Sequence, residues 1–148
     1  MVYEQLKLQN QICFRLYTVS RLVIQAYRPY LDSLGITYPQ YLVLLLLWEQ
    51  DNRVVSDISE RLLLESNTVT PLLQRMERDG LIVRTRGVVD SRQKIVSLTK
   101  KGKHLEEEAK DIPYCILKSM EGCGADVDEL TQVVAPLDRL IQTLKTQK

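Results

Sequence analysis

A mainly α-helical fold with one small β-wing is predicted by three observations on this chain. Between Ser56 and Gly102 the apolar residues recur twice at helical spacing with a short turn between, then twice at alternating spacing around a glycine-containing loop. Long helical stripes flank this segment on both sides. The basic residues gather in the alternating part, which carries Arg84, Arg86, Arg92 and Lys94. That order is a winged helix-turn-helix followed and preceded by helices. At 148 residues one core of ordinary domain size is expected. We read 1–148 as a single domain, with 37–102 as the winged helix-turn-helix part and 1–36 and 103–148 as dimerisation helices.

From Glu4 to about Tyr30, the residues Leu6, Cys13, Leu16, Tyr17, Ser20, Val23, Ile24 and Tyr27 share a stripe of period near 3.6. A helix of that length would extend roughly 40 Å, more than a small core can cover, so a second copy of the chain is expected along it. Pro29 predicts a bend and the Leu34-Gly35 pair a stop. Thr37, Pro39 and Gln40 then read as a capping box, with Ile36 and Tyr41 as the hydrophobic staple. The run through Leu47 is apolar on nearly all sides and predicts a buried helix. A polar loop from Glu49 to Arg53 follows, and Val54 with Val55 is expected to add a short strand to the later hairpin.

Ser56 is expected to cap a helix holding Ile58, Leu62 and Leu63, and Glu65 with Ser66 to turn the chain. Val69, Leu72, Leu73 and Met76 form the inner stripe of a second helix, which Gly80 ends; Pro71 lies near its first turn, where at most one backbone bond is lost. Leu81 to Arg86 and Gln93 to Leu98 alternate as two strands, and Gly87 with Asp90 allows the loop between them. Thr99 is expected to cap a helix through about Met120, interrupted by Gly122 and Gly124. Asp126 with Glu129 opens the last helix, whose stripe runs from Leu130 to Leu144. Pro113 and Pro136 predict kinks.

Composition excludes several classes of function. A hydrophobic fraction of 45% and a charged fraction of 26% are those of a soluble globular chain. The net charge of +1 conceals a local excess, seven Arg or Lys against one acid between Leu81 and Lys103. The first ten residues lack the pattern of a signal peptide, and the apolar run from Tyr41 to Trp48 is far short of a bilayer span, so a cytoplasmic protein without membrane attachment is expected. Cys13, Cys115 and Cys123 should rest as thiols there, and any disulfide would be transient and regulatory. With no Cys-x-x-Cys pair and His104 as the sole histidine, neither a metal nor a cofactor is expected. Glu106, Glu107 and Glu108 read as a solvated face, and no catalytic site is expected.

A helix that reads DNA buries one face in its own domain and presents short polar groups and a few long donors on the other. Ser66, Asn67, Thr68, Thr70, Gln74 and Arg75 fit that outer face. Asn67 and Gln74 can pair with adenine edges, while the three hydroxyls near the helix start can hold a phosphate. The helix is nearly neutral, so attraction to a duplex must come mainly from Arg84, Arg86, Arg92 and Lys94 of the wing.

The Asp90-Ser91-Arg92 element, followed by Ile95 to Thr99 and Gly102, resembles the wing and next helix of the MarR family of winged-helix repressors. Cys13 and the segment from Ile36 to Tyr41 are similar to the branch of that family that senses organic hydroperoxides, the OhrR-type regulators. The resemblance covers nearly the whole chain. It implies a homodimer whose terminal helices interlock and whose two winged domains bind a palindromic operator in double-stranded DNA. It also implies that the positions matching Tyr27 and Tyr38 donate to the Cys13 thiolate from the partner subunit, and that Cys115 is the resolving thiol, with Cys123 as the alternative. The apolar Val88-Val89 pair departs from the family's usually polar wing tip.

The residues give this switch a chemical basis. A free thiol titrates near 8.5, so little is ionised at neutral pH, and only the thiolate attacks a peroxide efficiently. Tyr17 lies one helical turn after Cys13 and carries a protonated phenol that can donate to the anion. Oxidation by an organic hydroperoxide or another oxidant to a sulfenic acid, then condensation with a second thiol, would release the operator. Two other readings remain open on the sequence: a repressor gated by a small apolar or aromatic ligand, and a thiol peroxidase.

Overall fold

The computed structural model describes residues 3–122, 124 and 126–146. The chain forms two compact units, Met1–Lys110 and Asp111–Lys148.

In the first unit the amino-terminal stripe does not begin as one helix at Glu4. Two 3-10 turns, Glu4–Leu6 and Leu8–Asn10, precede helix α1 (Ile12–Ser33). Side chains take the carbonyls that a continuing helix would need: Asn10 Nδ2 donates to Glu4 O at 2.7 Å, and the Arg15 guanidinium donates to Gln9 O at 2.6 Å and Gln11 O at 3.1 Å. Pro29 lies inside α1, which runs past it to Ser33. The stop falls where expected. Gly35 adopts φ +68°, the Ile36 amide donates to Leu31 O and the Gly35 amide to Asp32 O, each at 3.1 Å, which is a Schellman closure.

Helix α2 (Tyr38–Glu49) starts immediately with the capping box. The Gln40 amide donates to Thr37 Oγ1, and Gln40 Oε1 accepts from the Thr37 amide at 2.9 Å. Val43, Leu44 and Leu47 are fully buried, because α2 packs against α1, α3, α4 and α5, while Leu45 on its remaining face stays exposed, short of the all-round burial expected.

Strand β1 is only Arg53–Val54, and Val55 opens helix α3 (Val55–Leu62) rather than extending the strand. Ser56 therefore lies inside the first turn and does not cap it. Val54 occupies the capping position because its extended backbone is already committed to pairing with Ile95. The corner is fixed by the buried Arg53, which donates to Leu46 O at 2.9 Å and to Asp57 Oδ2 at 2.8 Å. Leu63 closes α3 in the left-handed region at φ +54°, with the Leu64 amide donating to Ser59 O.

Helix α4 (Ser66–Arg78) begins one residue earlier than the expected turn allows, with Glu65 as its cap. The Glu65 carbonyl accepts from the amides of Thr68 and Val69, and Pro71, five residues in, leaves the helix continuous. Strands β2 (Ile82–Arg86) and β3 (Lys94–Leu98) pair antiparallel with Ile82 opposite Leu98 and Arg86 opposite Lys94, and β1 adds to the far side of β3. Ile58, Leu73, Met76, Ile82 and Val96 are fully buried in the core of this unit.

Thr99 caps helix α5 (Lys100–Ala109), accepting from the Gly102 amide at 3.1 Å. A single helix through Met120 does not form. Pro113 has no N–H to donate to the carbonyl four residues back and its ring crowds it; that residue is Ala109, where α5 ends. Helix α5 packs on α2 and β3, so it belongs with the winged part.

In the second unit, α6 (Ile112–Gly122) places Pro113 at its second position, where the missing N–H costs nothing. Helix α7 (Val127–Lys145) is capped by Asp126, whose Oδ1 accepts from the Asp128 amide at 2.9 Å, and it packs against α6. Leu130, Val133, Val134, Leu137, Leu140, Ile141 and Leu144 are all more than one third exposed. This stripe has far more apolar surface than its own unit covers.

Candidate nucleic-acid interface and thiol site

Helix α4 divides by spacing into two faces. Val69, Leu72, Leu73 and Met76 are buried; Ser66, Asn67, Thr68, Thr70, Gln74 and Arg75 are exposed. The polar face is therefore accessible along the whole helix.

The four basic wing residues are not equivalent. Arg86, Arg92 and Lys94 are exposed, but Arg84 is 17% exposed and engaged with α4. Its Nε and Nη2 donate to Glu77 Oε2 at 3.0 and 2.7 Å, and its backbone amide donates to Glu77 Oε1 at 3.0 Å. These bonds hold the Glu77 carboxyl below the usual carboxylate range. Arg84 thus ties the wing to the recognition helix and is not a free cation, while it still lines the cleft described below. Glu77 escapes a sequence reading because the pair forms only once Gly80 has turned the chain and β2 lies beside α4. Asp90 also serves the fold: its Oδ1 accepts from the Arg92 amide at 2.9 Å and sets the loop that presents Arg92.

A cleft of about 300 Å³ lies between the start of α3, α4 and the wing. Thr70, Arg92 and Lys94 line it together with Ser56. A polyanion backbone entering here meets hydroxyls from the helices and cations from the hairpin.

Cys13 is exposed at the second position of α1, in its first turn. No side chain caps that turn. A helix expected from Glu4 hides this feature, since it would bury Cys13 in mid-helix. Tyr17, one turn on, is exposed.

Tyr27 and Tyr38 form an edge-on pair with ring centroids 5.1 Å apart, backed by Tyr41 at 5.8 and 6.2 Å. Burial, and secondarily Tyr38, raises the Tyr27 phenol pKa, so it remains a donor at neutral pH. The Tyr41 phenol is pushed up to about 12 by burial and then by its two neighbours. Cys13 and Tyr27 lie on one helix, and at 1.5 Å per residue the 14 steps between them separate them by about 21 Å. Within one chain they do not meet. Cys115 is half-buried in α6, its amide donating to Asp111 O at 3.0 Å, and Cys123 lies outside the described residues. Among the described residues no cluster of three or more His, Cys, Asp or Glu could hold a metal, and no helix is long and apolar enough to cross a membrane.

A helix pair with an exposed polar recognition face, a basic hairpin clamped beside it and a short strand closing the sheet defines a winged-helix transcriptional regulator. The chain belongs to the SarA/Rot family of transcriptional regulators, which are MarR-like winged-helix proteins; the family model matches residues 25–109. It is 47% identical over 142 residues to an organic hydroperoxide resistance transcriptional regulator of Bacillus subtilis (strain 168), across 96% of this chain and 95% of that protein. Among solved structures, AbfR of Staphylococcus epidermidis in its reduced form bound to DNA shares 40% identity at a TM-score of 0.74, covering 95% of this chain and 96% of that one. Disulfide-formed AbfR shares the same identity at a TM-score of 0.64, covering 95% and 94%. This membership places the chain among regulators rather than enzymes, which sets the thiol peroxidase reading aside.

Proposed function

We propose that this chain is a thiol-based repressor that binds a palindromic operator as a homodimer and leaves it when an organic hydroperoxide oxidises Cys13. The observation that carries the proposal is the placement of Cys13 on an exposed, uncapped helix start, about 21 Å along α1 from a ready-made pair of tyrosine donors. Among the described residues neither the Tyr27 nor the Tyr38 hydroxyl has a hydrogen-bond partner. An antiparallel second copy of α1 would bring one chain's donors to the other chain's sulfur, and the bare apolar stripe of α7 gives that copy a surface to cover. The DNA-bound and disulfide forms of AbfR support the same reading.

In this mechanism the Cys13 thiolate attacks the terminal peroxide oxygen. The O–O bond breaks, sulfur gives up two electrons, and the alkoxide leaves as an alcohol after taking a proton, so that Cys13 becomes a sulfenic acid. Cys115 of the partner subunit then attacks the oxidised sulfur, forming an S–S bond and expelling water. Cys123 is the competing thiol. The bridge alters the spacing of the two recognition helices, which must match about one DNA turn, roughly 34 to 36 Å.

The test uses a duplex that the reduced protein selects from a randomised library. Low concentrations of cumene hydroperoxide should release the wild type, while Cys13→Ser stays bound, and Tyr38→Phe should slow alkylation of Cys13 at neutral pH. Peroxide release that survives Cys13→Ser would refute the sensor. Release of the Cys13→Ser protein by a small aromatic compound would instead support a ligand-gated repressor. A mass map of the oxidised protein assigns the bridge to Cys115 or Cys123.

A further inference from the structure

We propose that Trp48, Tyr41, Tyr38 and Tyr27 form a one-electron relay, along which an oxidising hole placed on the tryptophan by an organic alkoxyl radical moves to the tyrosine pair. The repressor reading above sets that pair against Cys13 of the partner subunit, and the proposal rests on that reading for its last step alone.

The path is continuous. Trp48 and Tyr41 lie edge-on with ring centroids 6.2 Å apart, Tyr41 stands 6.2 Å from Tyr38 and 5.8 Å from Tyr27, and those two are 5.1 Å from each other. Residues 38, 41 and 48 differ by three and by seven and so share a face of α2, while Tyr27 joins them from α1. All four separations are those of packed rings, about 4.5 to 7 Å, so an electron passes from ring to ring without a gap to cross. Packing alone does not call for phenols. Tyr41 is 2% exposed and its hydroxyl has no hydrogen-bond partner among the described residues. Phenylalanine there would keep every ring contact and avoid the cost of burying a polar group. What the hydroxyl adds is a ring that gives up an electron far more readily than a phenyl ring does.

The direction follows from where protons can go. Loss of one electron turns the Trp48 indole into a radical cation, whose N–H is strongly acidic. That N–H donates to the Gly102 carbonyl at 2.9 Å, a base too weak to take the proton, so the indole stays a strong oxidant and draws an electron from Tyr41. Tyr41 does not hold the hole. Burial, and then its two neighbours, push its phenol up to about 12, and the same desolvation opposes a positive charge on the ring, so it is refilled from the pair. Tyr38 and Tyr27 are half-buried, and there a phenol releases its proton to solvent and the hole settles as a phenoxyl radical. The alkoxyl radical leaves as an alcohol, having gained one electron from the relay and one proton from solvent, and Trp48 and Tyr41 end unchanged. In the last step the thiolate of Cys13 of the partner subunit gives one electron to the phenoxyl, which takes up a proton; the phenol is restored and the sulfur becomes a thiyl radical.

Pulse radiolysis in azide solution tests the relay, because azidyl radicals oxidise indole in preference to other side chains and the indolyl and phenoxyl radicals absorb in separate bands. In reduced Cys13→Ser protein the indolyl band should decay as the phenoxyl band rises, with one first-order rate constant that does not change with protein concentration. Tyr41→Phe, which keeps the ring packing, should slow this transfer by at least an order of magnitude. The double variant Tyr27→Phe/Tyr38→Phe should lose most of the phenoxyl signal, while Tyr114→Phe, at an exposed ring outside the relay, should change neither band. An indolyl decay with no phenoxyl rise, a rate that scales with concentration, or equal rates in wild type and Tyr41→Phe would each overturn the proposal. With the Cys13 thiol present the phenoxyl should vanish faster than in Cys13→Ser, and equal lifetimes would overturn delivery to sulfur. The transfer from Trp48 is read without hydroperoxide or DNA, so failure of the operator test would refute the sensor and not the relay.

Discussion

Replacing Gly102 by alanine should destabilise the protein, although the same change in an ordinary helix interior stabilises it. Gly102 sits in the first turn of α5, where an alanine would gain about 1 kcal/mol over glycine from helix propensity. Its added Cβ, however, would lie 2.2 Å from Leu81 O and 3.0 Å from Leu98 Cδ2. Carbon and oxygen settle near 3.3 Å, so the base of the wing and the start of α5 must part by about 1 Å. The obstructing atom belongs to backbone and cannot swing aside, which puts the overpacking cost near the upper end of its range, about 3 kcal/mol. The net expectation is a loss of about 2 kcal/mol. Urea unfolding followed by tryptophan fluorescence measures it directly: Trp48 is the sole tryptophan, and its Nε1 donates to the Gly102 carbonyl at 2.9 Å. The midpoint should fall and the native emission should shift. A raised midpoint with unchanged emission would refute the reasoning, since it would mean that propensity outweighs the close approach.

Leu63→Gly should stabilise the chain by about 0.5 to 1 kcal/mol, because a side chain at φ +54° carries a strain that exceeds the extra unfolded-state freedom of glycine; an unchanged or lower urea midpoint would contradict this. Two of the depressed carboxyls, Asp57 and Glu77, join elements of the winged part and give acid sensitivity a source there. Hydrogen bonds from Arg53 and then Arg61 hold Asp57 below the usual carboxylate range, and Arg84 does the same for Glu77. Their stabilisation is complete above the ordinary carboxylate range of about pH 4 to 5 and disappears as pH falls through the depressed values, so Asp57→Asn and Glu77→Gln should each flatten the acid limb of a stability profile. An acid limb identical to wild type in both would show that these pairs contribute nothing. For recognition, Asn67→Ala should relax base preference with little change in salt dependence, while Arg92→Ala should weaken binding to all duplexes alike; the same pattern of losses across sequences in both variants would count against these roles.

Local chemistry made much of this molecule legible. Thr37 and Gln40 announce a helix start whatever surrounds them, and Val69, Leu72, Leu73 and Met76 identify the inner face of α4 by spacing alone. The features that escaped depend on partners distant in sequence. Ser56 has the right chemistry for a cap, yet strand pairing by Val54 starts α3 first. Arg84 looks like a wing cation until Glu77, seven residues earlier, reaches its guanidinium across the turn. Arg15 ends the amino-terminal stripe from the wrong side, by taking carbonyls that precede it, and so moves Cys13 from mid-helix to a helix start. The separation of Cys13 from Tyr27 follows from the rise of a helix, which the spacing of residues along one stripe does not display.

The joint between α1 and α2 has mechanical meaning. Gly35 and Ile36 fold back onto Leu31 and Asp32, and Thr37 with Gln40 locks the next helix within a residue, so the corner contains no slack. From Leu31 to Cys13 the first helix is a lever arm of about 27 Å. A push at its free end is not dissipated in a linker; it is delivered as torque to α2, against which α3 and α4 are packed. Softening that elbow with inserted glycines would disconnect the arm from its load while leaving both intact.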